Sequence, residues 1–258
     1  GDVYKRQNVS TFPRPMSDTP IDVFIDLPSF PGPVQAGRLW SHFLKGRESA
    51  SFEYNKEWLA NPHRFALEPL LPLADGTFHT NPGQSVFGAI GDSTPDRWGR
   101  ILMRRAELAR ARTANESPHT LSELDYLLRV NDEARQGALR FSQDGGQSFC
   151  APPGSTPIPP LVNLSRLLHA ADHFCRDDEN AEDLRLLLAP GSSLGGARPK
   201  ASVKDKKGNL CIAKFPRYDD EYNVVAWEAV ALTLASKAGL QVPRFELEKI
   251  TDKDVLIV

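Results

Sequence analysis

The chain has 258 residues, 40% of them hydrophobic, and is therefore long enough to build one large domain or two modest ones. Its formal net charge of −2 argues against a protein that coats nucleic acid or an anionic membrane by bulk charge, but it does not exclude a local basic face. Three widely spaced cysteines argue against a disulfide framework, and no apolar run approaches the roughly 20 residues that span a bilayer, so we expect a soluble cytoplasmic protein that does not bind membranes.

The chain begins with GDVYKRQNVSTFPRP, a stretch that has no apolar period and differs in character from the rest of the sequence. Met16 is a candidate native start. We therefore expect residues 1–20 to be a leader, a cloning scar or a disordered native tail, and we leave them out of the predicted fold.

Residues 21–145 are expected to form a small β-rich subdomain. Alternating apolar and polar residues predict short strands at Val23–Ile25, Val34–Leu39, Ser51–Tyr54 and Gly137–Phe141. The stretch DSTPDRWGR, residues 92–100, predicts the start of a helix, with Ser93 or Thr94 as N-cap and Pro95 in the first turn. A second helix is predicted over Leu121–Leu128, preceded by Thr120.

Residues 146–160 are rich in Gly, Ser and Pro and are expected to be a linker to a second domain at 161–258. In that domain, helices are predicted over Leu161–Phe174, Ala181–Leu188 and Val224–Ala238. Strands are predicted at Lys200–Val203, Leu210–Phe215, Phe245–Glu248 and Val255–Val258. Gly239 comes directly after the last helix as a natural C-terminal stop.

A glycine loop, PGSSLGGARPK at residues 190–200, precedes the first of these strands. Its glycines and serines could place several backbone N–H groups around one anion, or could be a surface turn. After the loop the order is strand, turn, strand with Lys214, and helix with Glu228. A kinase N-lobe has this layout: the loop covers nucleotide phosphates, the lysine pairs with them, and the glutamate orients the lysine.

Each of these signals has a plainer interpretation when taken alone. A lysine in an apolar strand is usually an edge residue whose charge reaches water, and a glutamate on an amphipathic helix is usually solvated. The conjunction in this order and spacing favours the nucleotide site. A Walker A loop is excluded because the chain contains no G-x-x-x-x-G-K-[ST] motif.

The stretch GSSLGGARPKASV…LCIAKFP…VVAWEAVALTLASKAGLQVPRFEL resembles the core of the HipA family, the serine/threonine kinase toxins of bacterial toxin–antitoxin pairs. The segments VQAGRL, SFEYNKEWL, DSTPDRWGR and RVNDEARQGALRF resemble that family's N-terminal subdomain. The resemblance runs from about Asp22 to the end of the chain. It implies an α+β fold in which a small β-rich N-terminal subdomain is followed by a kinase-like N-lobe, an antiparallel sheet plus a helix.

The resemblance also implies roles for particular residues. The residues expected to bind the nucleotide are Ser193, Gly195, Gly196, Ala197, Lys200, Lys214 and Glu228. Ser193 falls where such kinases phosphorylate themselves, and Ser192 could share or replace that role. The chain departs from the better-known members at Arg198-Pro199, where they have Gln-Glu.

In activity and partners, the resemblance implies an ATP- and Mg²⁺-dependent Ser/Thr protein kinase whose substrate is an aminoacyl-tRNA synthetase and whose action leads to growth arrest and persistence. It implies a helix-turn-helix antitoxin as partner, and operator DNA through that complex. The family's catalytic Asp and metal Asp belong to a helical C-lobe, and no such motif is found here. We therefore expect a chain truncated before the catalytic loop that does not itself transfer phosphate. The alternative is a non-catalytic antitoxin-binding corepressor module.

Three other groups of residues could suggest a site but favour plainer interpretations. His169 and His173, with Cys175 nearby, have zinc-like spacing, but Ala170 stands where an HExxH motif needs Glu, so helix-surface residues are expected. The arginines of residues 97–112, with Glu107 among them, favour a solvated face over a phosphate-binding one. The acidic run 219–221 is expected to complement a helix dipole rather than to bind Mg²⁺.

Overall fold

The computed structural model describes residues 20–149, 158–159, 163–191 and 193–258. Over these residues the fold is α+β, with two antiparallel sheets and several helices. Two compact units interleave along the chain. The first takes the described residues of Gly1–Thr94, Arg110–Asp132 and Gly137–Ser155, and the second those of Pro95–Ala109, Glu133–Gln136 and Thr156–Val258.

The strands are β1 Ile21–Ile25, β2 Val34–Leu44, β3 Arg47–Tyr54, β4 Thr77–His79, β5 Leu139–Ser142, β6 Lys200–Lys204, β7 Leu210–Lys214, β8 Glu246–Ile250 and β9 Lys253–Ile257. The helices are α1 Lys56–Ala60, α2 Gly88–Gly91, α3 Arg97–Ala114, α4 Glu123–Leu128, α5 Leu164–Cys175, α6 Ala181–Gly191 and α7 Val224–Lys237. A short 3₁₀ turn spans Asp132–Ala134.

The first unit is built on a five-stranded sheet in the order β4-β3-β2-β1-β5. Strands β2 and β3 form a hairpin whose two turn residues, Lys45 and Gly46, both have positive φ, the geometry that matches the twist of paired strands. Side chains alternate between the two faces of each strand, so that one face of the sheet contributes to a hydrophobic core. Aromatic residues of this core, among them Phe52, Trp58 and Phe87, are fully buried.

The second unit is built on a four-stranded sheet in the order β6-β7-β9-β8. Residues of α5, α6 and the first turns of α3 form its main core together with the sheet, with Trp98, Leu102, Leu167 and Phe215 almost fully buried. Helix α7 packs separately through Val225 and Ala229 on Leu256 of β9. These contacts hold β6, β7 and α7 close together, which positions the candidate site.

The hairpin and helix ends of this unit follow ordinary local chemistry. The Asp205 carboxylate accepts the amides of Lys207 and Asn209 in the β6–β7 turn, where Gly208 takes a positive φ. At the start of α7, the Asn223 side chain accepts the Ala226 amide at 2.9 Å. Gly239 follows α7 with a φ of +81°, as expected for its C-terminal glycine.

All the strands and helices predicted from the sequence are present, with bounds shifted by a few residues. Helix α3 begins at Arg97, two residues after Pro95, and the Thr94 Oγ1 donates to the Gly91 carbonyl. Helix α4 begins at Glu123 and is capped by Ser122, in a reciprocal capping box with Asp125.

The prediction missed the short elements β4, α1 and α2, which have too few residues to show a period. The expected leader, residues 1–20, lies outside the described residues except for Pro20, and so does most of the expected linker at 146–160. Across the described part of the chain, no helix is both long and apolar enough to cross a bilayer.

Candidate functional site

The centre of the candidate site is a pair of lysines on neighbouring strands. Lys200 opens β6 and Lys214 closes β7, and the antiparallel register places them directly opposite each other. Residues in that relation project from the same face of a sheet with their Cβ atoms about 5 Å apart. Two like charges so placed destabilise a sheet unless other groups compensate them.

Each lysine has a different compensating partner. The Lys214 ammonium forms an ion pair with the Glu228 carboxylate of α7, the pairing expected from the sequence. The Lys200 ammonium donates instead to the carbonyl oxygen of Gly195 in the glycine loop. The loop therefore folds over the start of β6, and Lys200 connects it to the sheet.

The environment lowers the pKa of Lys200 below its ordinary value. Burial is the main cause, and the positive charge of Lys214 is the second. The carboxylates of Glu228 and Asp96 oppose this effect without cancelling it. Burial and a neighbouring positive charge thus disfavour the charged form of Lys200, and a bound anion would favour it.

The glycine loop needs glycine at one position in particular. Gly196 has a φ of +77°, in the left-handed region that side chains avoid, and a Cβ there would lie 2.9 Å from the Lys200 Nζ. Gly196 and Ala197 are exposed, whereas the Leu194 side chain is buried and anchors the loop. The loop therefore presents its glycine backbone outward beside the lysine pair.

Arg198, the departure noted in the sequence, has a clear contact. Its Nη2 donates to Asp220 Oδ1 at 2.5 Å, and Asp220 Oδ2 also accepts the Arg217 amide at 2.9 Å. This ion pair ties the end of the glycine loop to the segment between β7 and α7. Asp220 is thereby bound to arginine rather than free to hold a cation.

Ser193 lies inside the structure in the described conformation. The residue is 7% exposed, and its Oγ has no hydrogen-bond partner among the described residues. A hydroxyl so placed is not accessible to a phosphate donor without movement of the loop. Ser192, the other serine expected to be modified, lies outside the described residues.

Sequence reasoning missed two residues at the start of α3 that contact the loop. The Asp96 carboxylate accepts the Gly196 amide at 2.9 Å, and the Trp98 amide donates to the Gly196 carbonyl at 3.0 Å. The Trp98 indole also donates to the Lys200 carbonyl at 2.9 Å. Both residues belong to the quoted DSTPDRWGR stretch, but Asp96 and Gly196 are 100 positions apart, so no local pattern could pair them.

The remaining polar groups of this unit have structural contacts. The rings of His169 and His173 lie 4.0 Å apart, and His173 Nδ1 is 3.0 Å from Asp183 Oδ2. Burial raises the pKa of the Cys175 thiol, which makes it less reactive. Within the described residues, no group of three or more His, Cys, Asp or Glu side chains is placed to hold a metal ion.

Helix α3 is less solvated than its sequence suggested. Arg105 stacks over the Phe174 ring at 4.2 Å and donates to Glu179 at 2.7 Å, and it also pairs with Asp177. Glu107, expected on a solvated face, is only 3% exposed, so that expectation is wrong. Arg97, Arg104 and Arg112 are exposed, as expected of a solvated face, so only part of the helix departs from the expectation.

Comparison with known proteins gives two matches to family models. The model for the HipA N-terminal domain matches residues 32–142, and the model for the HipA-like C-terminal domain matches residues 192–258. The second range contains the glycine loop from Ser192 onward, the lysine pair and Glu228. No curated protein matches the chain. The two matches together take in most of the sequence in the order found in that family, and the chain therefore belongs to the HipA family.

Proposed function

We propose that the glycine loop, Lys200 and Lys214 bind the phosphates of ATP, and that the chain supplies the nucleotide-binding part of a HipA-like serine/threonine kinase toxin. The observation that carries this proposal is the Lys214–Glu228 ion pair next to a second lysine on the same sheet face. Glu228 holds the Lys214 ammonium in one direction, which a phosphate-binding lysine requires.

The residues present fit a polyphosphate. Two lysines lie opposite each other on one face of the sheet, and burial together with the charge of Lys214 lowers the pKa of Lys200. Phosphate oxygens would bring negative charge to both lysines and would accept hydrogen bonds from N–H groups of the loop. The four-stranded antiparallel sheet with α7 packed on β9 also agrees with a kinase-like N-lobe.

ATP would bring the phosphoryl group, and this chain's residues would bind and orient it. Lys214 would hold phosphate oxygens, Glu228 would keep Lys214 in place, and the loop would cover the phosphates. Because the described residues offer no carboxylate cluster, any Mg²⁺ would enter with the nucleotide phosphates. No Mg²⁺ ligand of the protein is proposed.

Self-phosphorylation at Ser193 is part of the same proposal. The enclosed Oγ means that a phosphate could be attached only after residue 193 has left its present position. Three bulky charged oxygens could not be enclosed there without partners, so the modified loop would stay displaced. The proposed protein substrate is an aminoacyl-tRNA synthetase. The proposed partner is a helix-turn-helix antitoxin that carries the complex to operator DNA, and family membership supports both.

The first test is calorimetric titration of the 258-residue protein with ATP, with and without Mg²⁺. Lys214→Met removes the charge and keeps most of the volume. Lys206→Met in the exposed β6–β7 turn is a matched control on the same hairpin. We expect ATP binding by the wild type and the control, weakened about tenfold or more in Lys214→Met, because a charged hydrogen-bond donor is lost.

Two outcomes of this titration would contradict the proposal. If the wild-type protein does not bind ATP, or if Lys214→Met and Lys206→Met bind it equally, the nucleotide-site proposal is wrong. A chain that binds the antitoxin but no nucleotide would instead be the non-catalytic corepressor module considered from the sequence.

A further inference from the structure

The backbone N–H and the carbonyl of Gly196 both form hydrogen bonds with residues at the beginning of α3, and these bonds hold the glycine loop against that helix. Its N–H donates to the Asp96 Oδ2 at 2.9 Å, and its carbonyl accepts the Trp98 amide at 3.0 Å. A backbone unit that is bound on both sides by one helix turn has a fixed position. The loop expected to cover nucleotide phosphates is thus held by residues from a distant part of the sequence.

The packing around these bonds is close. A Cβ at Gly195 would lie 3.1 Å from the Asp96 Oδ2, and a Cβ at Gly191 would lie 2.7 Å from Leu102 Cδ1 and 3.0 Å from Trp98 Nε1. Trp98 is 2% exposed, so its side chain is part of the core. Asp96 is exposed, so its bond to Gly196 can open and close while Trp98 stays in place.

The Asp96 carboxylate also resembles a phosphate in its contacts. It is an anion that accepts a glycine-loop N–H, and it lies close enough to Lys200 for its charge to act on that ammonium. A nucleotide phosphate bound under the loop would use the same two kinds of group, a backbone N–H and a lysine. One N–H cannot donate fully to both anions at once.

We propose that the Asp96 carboxylate competes with nucleotide phosphate for the Gly196 N–H. In the protein without nucleotide, the hydrogen bond from this N–H to Asp96 holds the glycine loop against α3, and we call this bond the latch. Asp96 must release the N–H before a phosphate oxygen can accept it. The competing role rests on the proposed function, since it assumes that the loop binds ATP. The latch itself does not, because it concerns the protein without nucleotide. Asp96 is in this sense a positioning residue for the loop.

Asp96→Asn is the variant that tests the latch, because Asn removes the negative charge and still serves well before the first turn of a helix. Asp178→Asn is the control. Asp178 is exposed in the turn after α5, and the same unit loses the same charge. Urea unfolding of both variants would verify that each is folded before any other comparison.

The first readout is amide hydrogen exchange of residues 194–198 without nucleotide. We expect these amides to exchange roughly tenfold faster in Asp96→Asn than in Asp178→Asn, since a charge-assisted hydrogen bond is replaced by a weaker neutral one. Equal exchange in the two variants would overturn the latch. This readout holds even if the chain binds no ATP, so its outcome is independent of the proposed function.

The second readout is the ATP dissociation constant. We expect Asp96→Asn to bind ATP several-fold more tightly than both the wild type and Asp178→Asn, because the competing anion is gone. Unchanged or weaker binding would overturn the competition and would make Asp96 a support for the binding-competent loop.

Discussion

Lys200 and Lys214 lie directly opposite each other across the β6–β7 ladder, but their ammonium groups are compensated unequally. Lys214 is paired with the Glu228 carboxylate, whereas Lys200 donates to the neutral carbonyl of Gly195. Burial first, and the charge of Lys214 second, lower the pKa of Lys200, and an added anion beside it would oppose that effect.

The pKa of Lys200 predicts a pH dependence of stability. A lysine whose pKa is lower in the folded than in the unfolded protein is costly to keep charged, so the free energy of unfolding rises with pH between the two pKa values. This window ends near 10.5, the ordinary lysine value, and begins at the lowered one. We expect the rise to be smaller in Lys200→Met.

Urea unfolding of both proteins from about pH 7 to about pH 10.5 measures the difference. Because the other titrating groups are common to the two proteins, subtracting one curve from the other gives the contribution of Lys200 together with its interactions with neighbouring charges. Parallel curves would show that the Lys200 pKa is not lowered. Inorganic tripolyphosphate should reduce the difference if it supplies the missing negative charge.

The variant Glu228→Gln tests whether Glu228 mainly orients the Lys214 ammonium or mainly stabilises the folded protein. The side chains of Lys214 and Glu228 are 28% and 40% exposed, so solvent screens their ion pair and its loss should change the free energy of unfolding by roughly 1 kcal/mol or less. We expect a larger effect on ATP, a several-fold loss of affinity, because Lys214 is no longer held toward the phosphates.

Glu221→Gln, an exposed residue just before α7, removes the same charge without touching Lys214. It should leave the ATP dissociation constant unchanged in titrations run beside Glu228→Gln. Tighter ATP binding by Glu228→Gln would mean that its charge mainly repels phosphate, and an orienting role would then be excluded.

The sequence was most informative where one local segment carries the chemistry. The ion pair of Lys214 and Glu228 was predicted because the order of loop, strands and helix matches the layout of a kinase N-lobe, and the structure contains this pair. The Asp96 contact to Gly196 could not be predicted in the same way, because long-range packing and not local pattern brings α3 to the loop. The Arg198–Asp220 pair was missed because Asp220 had a sufficient local explanation as a residue flanking a helix.

Burial misled the sequence interpretation in two further places. Ser193 was expected in the nucleotide-covering loop as a site of phosphorylation, and its side chain is enclosed. Glu107 was expected on a solvated face and is buried. Each lies beside apolar residues that the core requires, Leu194 in one case and the apolar face of α3 in the other. A pattern of polar residues does not show which of them the core encloses.

Gly196→Ala should be costly for two separable reasons. The positive φ alone costs an alanine about 1 kcal/mol, and the new Cβ would also lie 2.9 Å from the Lys200 Nζ. Gly208 in the β6–β7 turn provides the matched control, since it has a similar φ of +84° with nothing within 4 Å of its Cβ position.

We therefore expect Gly208→Ala to lower the free energy of unfolding by about 1 kcal/mol and to leave ATP binding intact. Gly196→Ala should lower stability at least as much and should also weaken ATP binding, because Lys200 must move away from the loop. Urea unfolding and calorimetry on the two variants give the comparison. Equal ATP affinities would show that the space around Gly196 does not matter for the site.

The buried hydroxyl of Ser193 permits a last prediction. Its Oγ is enclosed and has no hydrogen-bond partner among the described residues. Burial of this hydroxyl is therefore unfavourable, because no hydrogen bond within the protein replaces the ones lost to water. Ser193→Ala should therefore leave the free energy of unfolding unchanged or raise it by up to about 1 kcal/mol. Ser142→Ala is the contrasting variant, because that buried hydroxyl contacts the Asp144 carboxylate and accepts the Gly146 amide, and its loss should cost about 1–3 kcal/mol.

A charge at the same position should act in the opposite direction. Ser193→Asp should destabilise the protein or displace the loop, because a carboxylate enclosed there is buried without a partner. Urea unfolding and protease cleavage within residues 190–200 measure both effects. A Ser193→Ala variant as destabilised as Ser142→Ala would show that the hydroxyl has a partner in solution, and the loop would then have to be held differently from the arrangement described.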